Sequence, residues 1–376
     1  MRFAIVGCGY VADYYLGTLR NHPNLELAGV FDCNTASAQR FAEFHRLHRY
    51  ESLDQLLADG TVRLIANLTN PRSHFEVSYA ALQAGKHVYS EKPLSMSLPQ
   101  AEQLVRFAAQ HRLLLASAPC SVLSETAQTL WKALRDGRIG TPRLIYADLD
   151  DGPIPFMNYR EWASESGAPW PFQDEFEVGC TLEHAGYYLG WLTAFFGPAK
   201  RVTSFAHVIL KDKGVPVEVH SPDFAVACIE FASGPIARLT CSIYAPHDHR
   251  LRIAGDAGVL STGECWNYGA PVHLSPGTPF ALSHPRRARL LGRGPRRLPL
   301  LRPARFHCSA KQVFRMDFCR GIAELAEAVT ENRSPRLSAR WSLHVNELVL
   351  AMQSCHGKPY EPRSTFEPME PMPWAQ

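Results

Sequence analysis

Along residues 1–120, short unbroken apolar runs alternate with longer stretches whose apolar residues recur at helical spacing. Residues 2–7 (RFAIVG), 25–32, 63–69, 87–90 and 113–118 have the length and the β-branched and aromatic content of buried strands. Between them, the stretch after residue 9 places Leu16 and Leu19 on one helical face and stops at the NHPN of 21–24. Residues 74–85 predict a helix closed by Gly85, and 97–111 a helix opened by a capping box of Ser97 and Gln100. Strands separated by helices of this length imply a parallel sheet with right-handed crossovers.

From about residue 120 the pattern changes. Residues 124–140 predict an amphipathic helix, 143–149 a strand, and 178–197 a strongly apolar helix. Residues 224–231 and 236–244, joined by ASGP, predict a hairpin. In its second arm Ala237, Leu239, Cys241 and Ile243 share one face while Arg238, Thr240 and Ser242 share the other, as in an antiparallel sheet packed on one side. Residues 271–305 carry seven prolines and, from 286 on, eight arginines, which predicts a loop. Helices are expected again over 312–330 and 340–353. The fold class is therefore α/β: a parallel-sheet domain of the Rossmann type over 1–120, then an α+β domain over 121–376 with a large, mainly antiparallel open sheet.

The first turn carries the chemistry. GCGYVA (7–12) sets Gly7, Gly9 and Ala12 in a GxGxxA arrangement between a strand and a helix. Gly7 permits the tight turn, Gly9 admits a pyrophosphate to the backbone, and Ala12 lets helix and strand pack closely. With Tyr10 and Val11 these residues open a helix whose N-terminus attracts negative charge. Asp32, at the end of the second strand, can hold the two ribose hydroxyls and repel a 2′-phosphate, so NAD is the expected cofactor. Ligands of such sheets sit beyond the carboxyl ends of the strands, where Thr69, Asn70, Glu91 and Lys92 also fall.

The remaining composition narrows the class without naming it. The chain is 46% hydrophobic and 20% charged, with formal net charge +3. It has neither a long uncharged apolar stretch nor a signal-peptide pattern, so no membrane contact and a cytoplasmic location are expected. Ten scattered cysteines read as reduced thiols. The arginine-rich segment lacks aromatic interleaving and reads as a solvated or interface loop; capture of a substrate phosphate or carboxylate is the sharper alternative, and no nucleic-acid partner is expected. His247 and His249 form an HxH at a strand exit. No carboxylate or cysteine spacing accompanies them, so they read as solvated loop histidines and no metal is expected.

With GCGYVA, TNPRSH (69–74), AGKHVYSEKP (84–93), RDGRIG (135–140) and the helix at 179–197, the chain resembles the glucose–fructose oxidoreductase/inositol dehydrogenase (Gfo/Idh/MocA) family over nearly its whole length. The resemblance implies a Lys92–Pro93 peptide that is often cis, a lysine aimed at the nicotinamide, and a dimer or tetramer built through the open sheet. Many members carry Asp-x-x-x-His on the second domain's first long apolar helix; Glu183 and Tyr187 stand at those positions here. The arginine common after the last Rossmann strand is replaced within SAPCSVLS (117–124), and 286–305 looks like an insertion. The expected catalytic group is Lys92 with Tyr187 as proton relay, Glu183 fixing the phenol or a substrate hydroxyl, and His184 as the alternative base. Glu91 orients the lysine or the cofactor carboxamide, and His74 supports a loop beside the cofactor.

The function this predicts is hydride transfer between NAD and a secondary alcohol of a sugar, cyclitol or sugar derivative. Two alternatives stand beside it: a redox-neutral oxidation, elimination and reduction on a glycoside, and a non-catalytic NAD-binding regulator.

Overall fold

The computed structural model describes residues 1–277, 283–291, 294–309 and 312–376. Five parallel strands, β1 (Arg2–Val6), β2 (Glu26–Phe31), β3 (Leu64–Asn67), β4 (His87–Ser90) and β5 (Leu115–Ser117), form a sheet in the order β2-β1-β3-β4-β5. Helices α1 (Tyr10–Leu19), α2 (Thr35–His45), α3 (Leu53–Ala58), α4 (His74–Gln83) and α5 (Leu98–Gln110) connect them. The chain reverses its direction of sheet growth after β2, and this leaves the crevice at the carboxyl end of β1 open to a ligand.

Two of these helices escape the apolar periodicity because each buries a narrow stripe. α2 covers only Ala38, Phe41 and Ala42, and α3 covers only Leu56. Their caps were readable: Asn34 accepts from the Ser37 amide and Ser52 from the Gln55 amide. At α5 Ser97 is the N-cap residue but makes no side-chain cap bond, and Gln100 instead accepts from the Ser95 hydroxyl at 3.0 Å. The capping box is therefore not formed.

The second sheet has eight strands. They are β6 (Pro142–Asp150), β7 (Ala199–His207), β8 (Phe224–Phe231), β9 (Ile236–Ser242), β10 (Leu251–Gly255), β11 (Gly258–Thr262), β12 (Val272–Pro276) and β13 (Arg296–Leu298). Their order is β13-β12-β11-β10-β6-β9-β8-β7, antiparallel except for the β6–β9 pair. The hairpin of β8 and β9 forms as the alternation predicts. The expected loop over 271–305 does not hold throughout. β12 pairs with β11, β13 pairs with β12, and a short helix, α9 (Pro285–Leu290), lies between them. Pro271 and Pro276 sit where a ladder tolerates them, just before β12 and as its last residue. Residues 278–282 and 292–293 of that segment lie outside the described residues.

α6 (Glu125–Arg135), α7 (Phe172–Val178) and α8 (Gly186–Phe196) precede or flank the large sheet. α10 (Arg320–Glu331) and α11 (Ala339–Ser354) then return toward the first one. α11 packs on both α5 and β7, so it ties the two sheets together. The Gly321 Cα lies so close to Tyr89 of β4 that a Cβ there would come within 2.3 Å of the phenol oxygen. Among the described residues no helix is long and apolar enough to cross a membrane.

Candidate active site

At the end of β1 Gly7 has φ +102°, and a Cβ on it would come within 2.5 Å of the Leu68 carbonyl. At Gly9 a Cβ would meet nothing within 4 Å, so the backbone there faces open space. α1 starts without a side-chain cap, which leaves first-turn amides for an anion. Asp32 Oδ2 accepts from the Cys8 amide and Oδ1 from the Asn34 amide, both at 2.8 Å. The Asp32 carboxylate, just past β2, thus also fixes the glycine turn. These residues fit a dinucleotide.

On the opposite rim, Thr69 donates to Asn67 Oδ1 (2.6 Å), and Asn70 donates across the domain boundary to Asp174 of α7 (2.5 Å). His74 is fully buried between the carbonyls of Pro93 (Nδ1, 2.6 Å) and Thr69 (Nε2, 2.9 Å). It therefore joins the Thr69 loop to the turn after β4. That turn contains a cis Lys92–Pro93 peptide. Glu91 is buried, accepting from the Tyr15 hydroxyl at 2.6 Å and from the Lys92 amide at 2.9 Å. Tyr10 and Val11 occupy the first turn of α1, where the Tyr10 hydroxyl accepts from Tyr14.

Lys92 Nζ reaches out of this rim and hydrogen-bonds Glu183 Oε2 in the second domain. Glu183 does not lie on a regular α-helix. The helix expected over 178–197 is interrupted: α7 ends at Gly179 (φ +95°), and Thr181–Ala185 form a π-helical turn before α8. Such turns recur at functional sites, because the wider turn reorients side chains that an α-helix would stack. Periodicity alone does not reveal one.

Burial opposes charge on Lys92, but the carboxylate of Glu183, with smaller contributions from Tyr187, Glu175 and Glu91, holds its ammonium above the usual lysine range. Burial raises Glu183 to about 7, against the pull of Lys92. His184 is buried; desolvation works against its charge, but Glu175, accepting from Nε2 at 2.7 Å, raises it above the usual value. Glu175 escaped the sequence reading because α7 begins at Phe172, six residues before the expected helix.

Tyr187 lies beside this pair, its ring 5.3 Å from that of Trp266, and its hydroxyl makes no hydrogen bond among the described residues. A proton relay would be helped by a phenol that Lys92 lowers, and the opposite is found. Burial dominates and pushes the phenol up, with Lys92 only partly offsetting it. His249 is also not a solvated loop histidine: it is 1% exposed, and both it and His247 hydrogen-bond Glu264.

A parallel-sheet dinucleotide domain, a lysine on its cofactor rim and an acid delivered from an open-sheet domain define a two-domain pyridine-nucleotide oxidoreductase. Residues 1–118 match the model for the oxidoreductase family with an NAD-binding Rossmann fold, and 127–261 match the GFO/IDH/MocA C-terminal domain. The chain belongs to the Gfo/Idh/MocA family. It is 25% identical over 272 residues to an uncharacterised oxidoreductase of Synechocystis, covering 69% of this chain and 71% of that protein. It is 30% identical over 148 residues to a UDP-N-acetylglucosamine 3-dehydrogenase of Acidithiobacillus ferrooxidans, covering 39% of this chain and 45% of that one. The fold matches the WlbA dehydrogenase of Bordetella pertussis, solved with NADH and UDP-GlcNAcA, with a TM-score of 0.72 at 17% identity over 96% of this chain and 97% of that one. The protein is accordingly an NAD-dependent dehydrogenase by family.

Proposed function

We propose that the protein moves a hydride between NAD and a secondary alcohol of a sugar, cyclitol or sugar derivative. The observation that carries this reading is the Lys92–Glu183 hydrogen bond across the domain boundary, at the carboxyl edge of the parallel sheet. The nicotinamide supplies the hydride acceptor. The chain's own residues handle the hydroxyl proton: Lys92 Nζ passes a proton to Glu183 as it takes one from the substrate oxygen, and its charge stabilises that oxygen as the hydride leaves. Tyr187, kept neutral by burial, donates a hydrogen bond to a substrate oxygen instead of relaying the proton. Glu91 and His74 hold the lysine's turn in place.

The sugar-acting relatives support the substrate class. An assembly through the exposed face of the large sheet, and a domain boundary near residue 120, complete the reading. All ten cysteines are unpaired, which supports a reducing compartment such as the cytoplasm. A panel of inositols, aldoses and nucleotide sugars, followed by NADH absorbance and product mass, tests the activity. Turnover of at least one secondary alcohol, with its ketone as product, is expected. NAD binding with no redox product from any of them would contradict the reading.

A further inference from the structure

Beside the Lys92–Glu183 pair lies a second cluster that hydride transfer does not require. Candidate ligand atoms of Asp151, His247 and His249 all lie within 4.8 Å of one another. His184 lies at their edge, with Nδ1 3.9 Å from Asp151 Oδ2. Asp151 follows β6 directly, His247 and His249 precede β10, and His184 sits in the π-helical turn.

The hydrogen bonds around the cluster have a consistent direction. His249 gives Nδ1 to Glu264 Oε1 at 2.7 Å, His247 gives Nε2 to Glu264 Oε2 at 3.1 Å, and His184 gives Nε2 to Glu175 Oε1 at 2.7 Å. In each imidazole one nitrogen is thus held by a carboxylate while the other is left over. The nitrogens left over are His247 Nδ1, 3.8 Å from Asp151 Oδ1, together with His184 Nδ1 and His249 Nε2. The last two are buried and have no hydrogen-bond partner among the described residues, although His184 is only 5% and His249 only 1% exposed. A buried ring nitrogen without a partner is costly. A carboxylate on the far nitrogen is the support that metal-ligating histidines ordinarily have.

From this arrangement we propose that Asp151, His247 and His249 bind one divalent first-row transition-metal ion, with His184 Nδ1 facing Asp151 at the edge of the site. Imidazole and carboxylate donors at this separation suit zinc and its neighbours better than magnesium or calcium, which prefer all-oxygen shells. Cys265 comes within reach of His249 and Glu264 but is not grouped with Asp151 and His247, so it falls outside this set.

The ion would occupy the wall of the substrate pocket. His184 follows Glu183, and the Trp266 ring lies 5.7 Å from that of His184, 4.2 Å from that of His249 and 5.3 Å from that of Tyr187. With three protein donors, a position remains for a substrate oxygen. Only this last role rests on the dehydrogenase reading; binding of the ion does not.

The test uses the full-length protein made without a histidine tag, stripped with chelator and titrated with Zn2+ by calorimetry in the absence of NAD and substrate. Co2+ is added in parallel, and its visible d–d spectrum is recorded. One equivalent of Zn2+ and a Co2+ spectrum of mixed nitrogen and oxygen ligation are expected. His247 is half exposed, so His247→Gln is a variant that should fold; it should weaken Zn2+ at least ten-fold. Glu264→Gln should weaken it roughly 10- to 100-fold, the usual cost of losing such a support. Absence of stoichiometric binding of either ion would overturn the site, as would a folded His247→Gln protein that binds Zn2+ as tightly as the parent. Because no hydride transfer is read, a negative result here leaves the dehydrogenase reading untouched.

Discussion

Lys92 and Glu183 come from different domains, and the Lys92 ammonium donates directly to the Glu183 carboxylate beside the cofactor rim. The lysine is fixed by the turn that Glu91 and His74 brace, and the acid by a π-helical turn between α7 and α8. Neither side chain is free to wander. The pair is positioned before any substrate arrives, which is where electrostatic catalysis has its largest effect.

The tyrosine separates two mechanisms. As a neutral donor, Tyr187 contributes one hydrogen bond to a developing charge, so Tyr187→Phe should lower kcat/KM by roughly 10- to 100-fold, the worth of one charge-assisted bond. A true proton relay would cost on the order of 10² to 10⁴. Steady-state rates of the variant distinguish the two, and a loss beyond about 10³ would restore the relay.

Asp32 should set cofactor choice. Its carboxylate already accepts from the Cys8 and Asn34 amides, just past the carboxyl end of β2. Asp32→Ser should weaken NAD at least roughly ten-fold, the worth of a bond to a charged acceptor, and narrow the gap to NADP. Parallel titration of both cofactors checks this; tighter NADP binding by the unaltered protein would refute it.

Asp13 should link domain stability to pH. This buried carboxylate of α1 accepts from His45 Nε2 at 2.6 Å and, across the boundary, from the Ser164 and Ser166 hydroxyls. Burial works against its charge, but those bonds prevail and hold it below its ordinary 3.8. A carboxyl lowered on folding stabilises above its unfolded value, and the contribution is lost as pH falls through the folded one. Asp13→Ala should cost about 3 kcal/mol at neutral pH, since it strips a buried charge from its partners. The gap to the parent in thermal midpoint should close below about pH 4. A gap that is constant from pH 7 to pH 3 would contradict the assignment.

The outward face of the large sheet mixes exposed apolar side chains with the Arg238–Asp148 and Arg201–Glu230 ion pairs. Register places Leu144, Tyr146, Ile236 and Phe205 on one side, each between 37% and 58% exposed. Light scattering should give a mass of at least twice the 42.0 kDa of one chain, and Tyr146→Asp with Phe205→Asp should reduce it to one. A monomeric parent at micromolar concentration would remove this face from the account.

Much of the first domain was legible because its signals are local. The strand, Gly7, Gly9, α1, β2 and Asp32 follow one another in sequence, and Lys92 is marked by Glu91 and Pro93 on either side. The second site depends on long-range contacts. Asp151, His184, His247 and Glu264 carry no shared spacing, and only the eight-stranded order brings the end of β6 beside the start of β10. The π-helical turn looks like helix to any periodicity, so the spacing of Glu183 and Tyr187 does not reveal it. β12 and β13 were hidden because proline and arginine outweighed a three- to five-residue strand signal.

The most direct test measures NADH formation and NAD affinity side by side for the parent and Lys92→Met, with the best alcohol found in the substrate panel. Methionine keeps the length of the side chain and removes its charge and protons. Turnover should vanish while NAD affinity stays within a few-fold, and Glu183→Gln should fall by on the order of 10² to 10⁴. If Lys92→Met keeps turnover, the lysine is not the group that handles the hydroxyl proton, and the proposed mechanism fails.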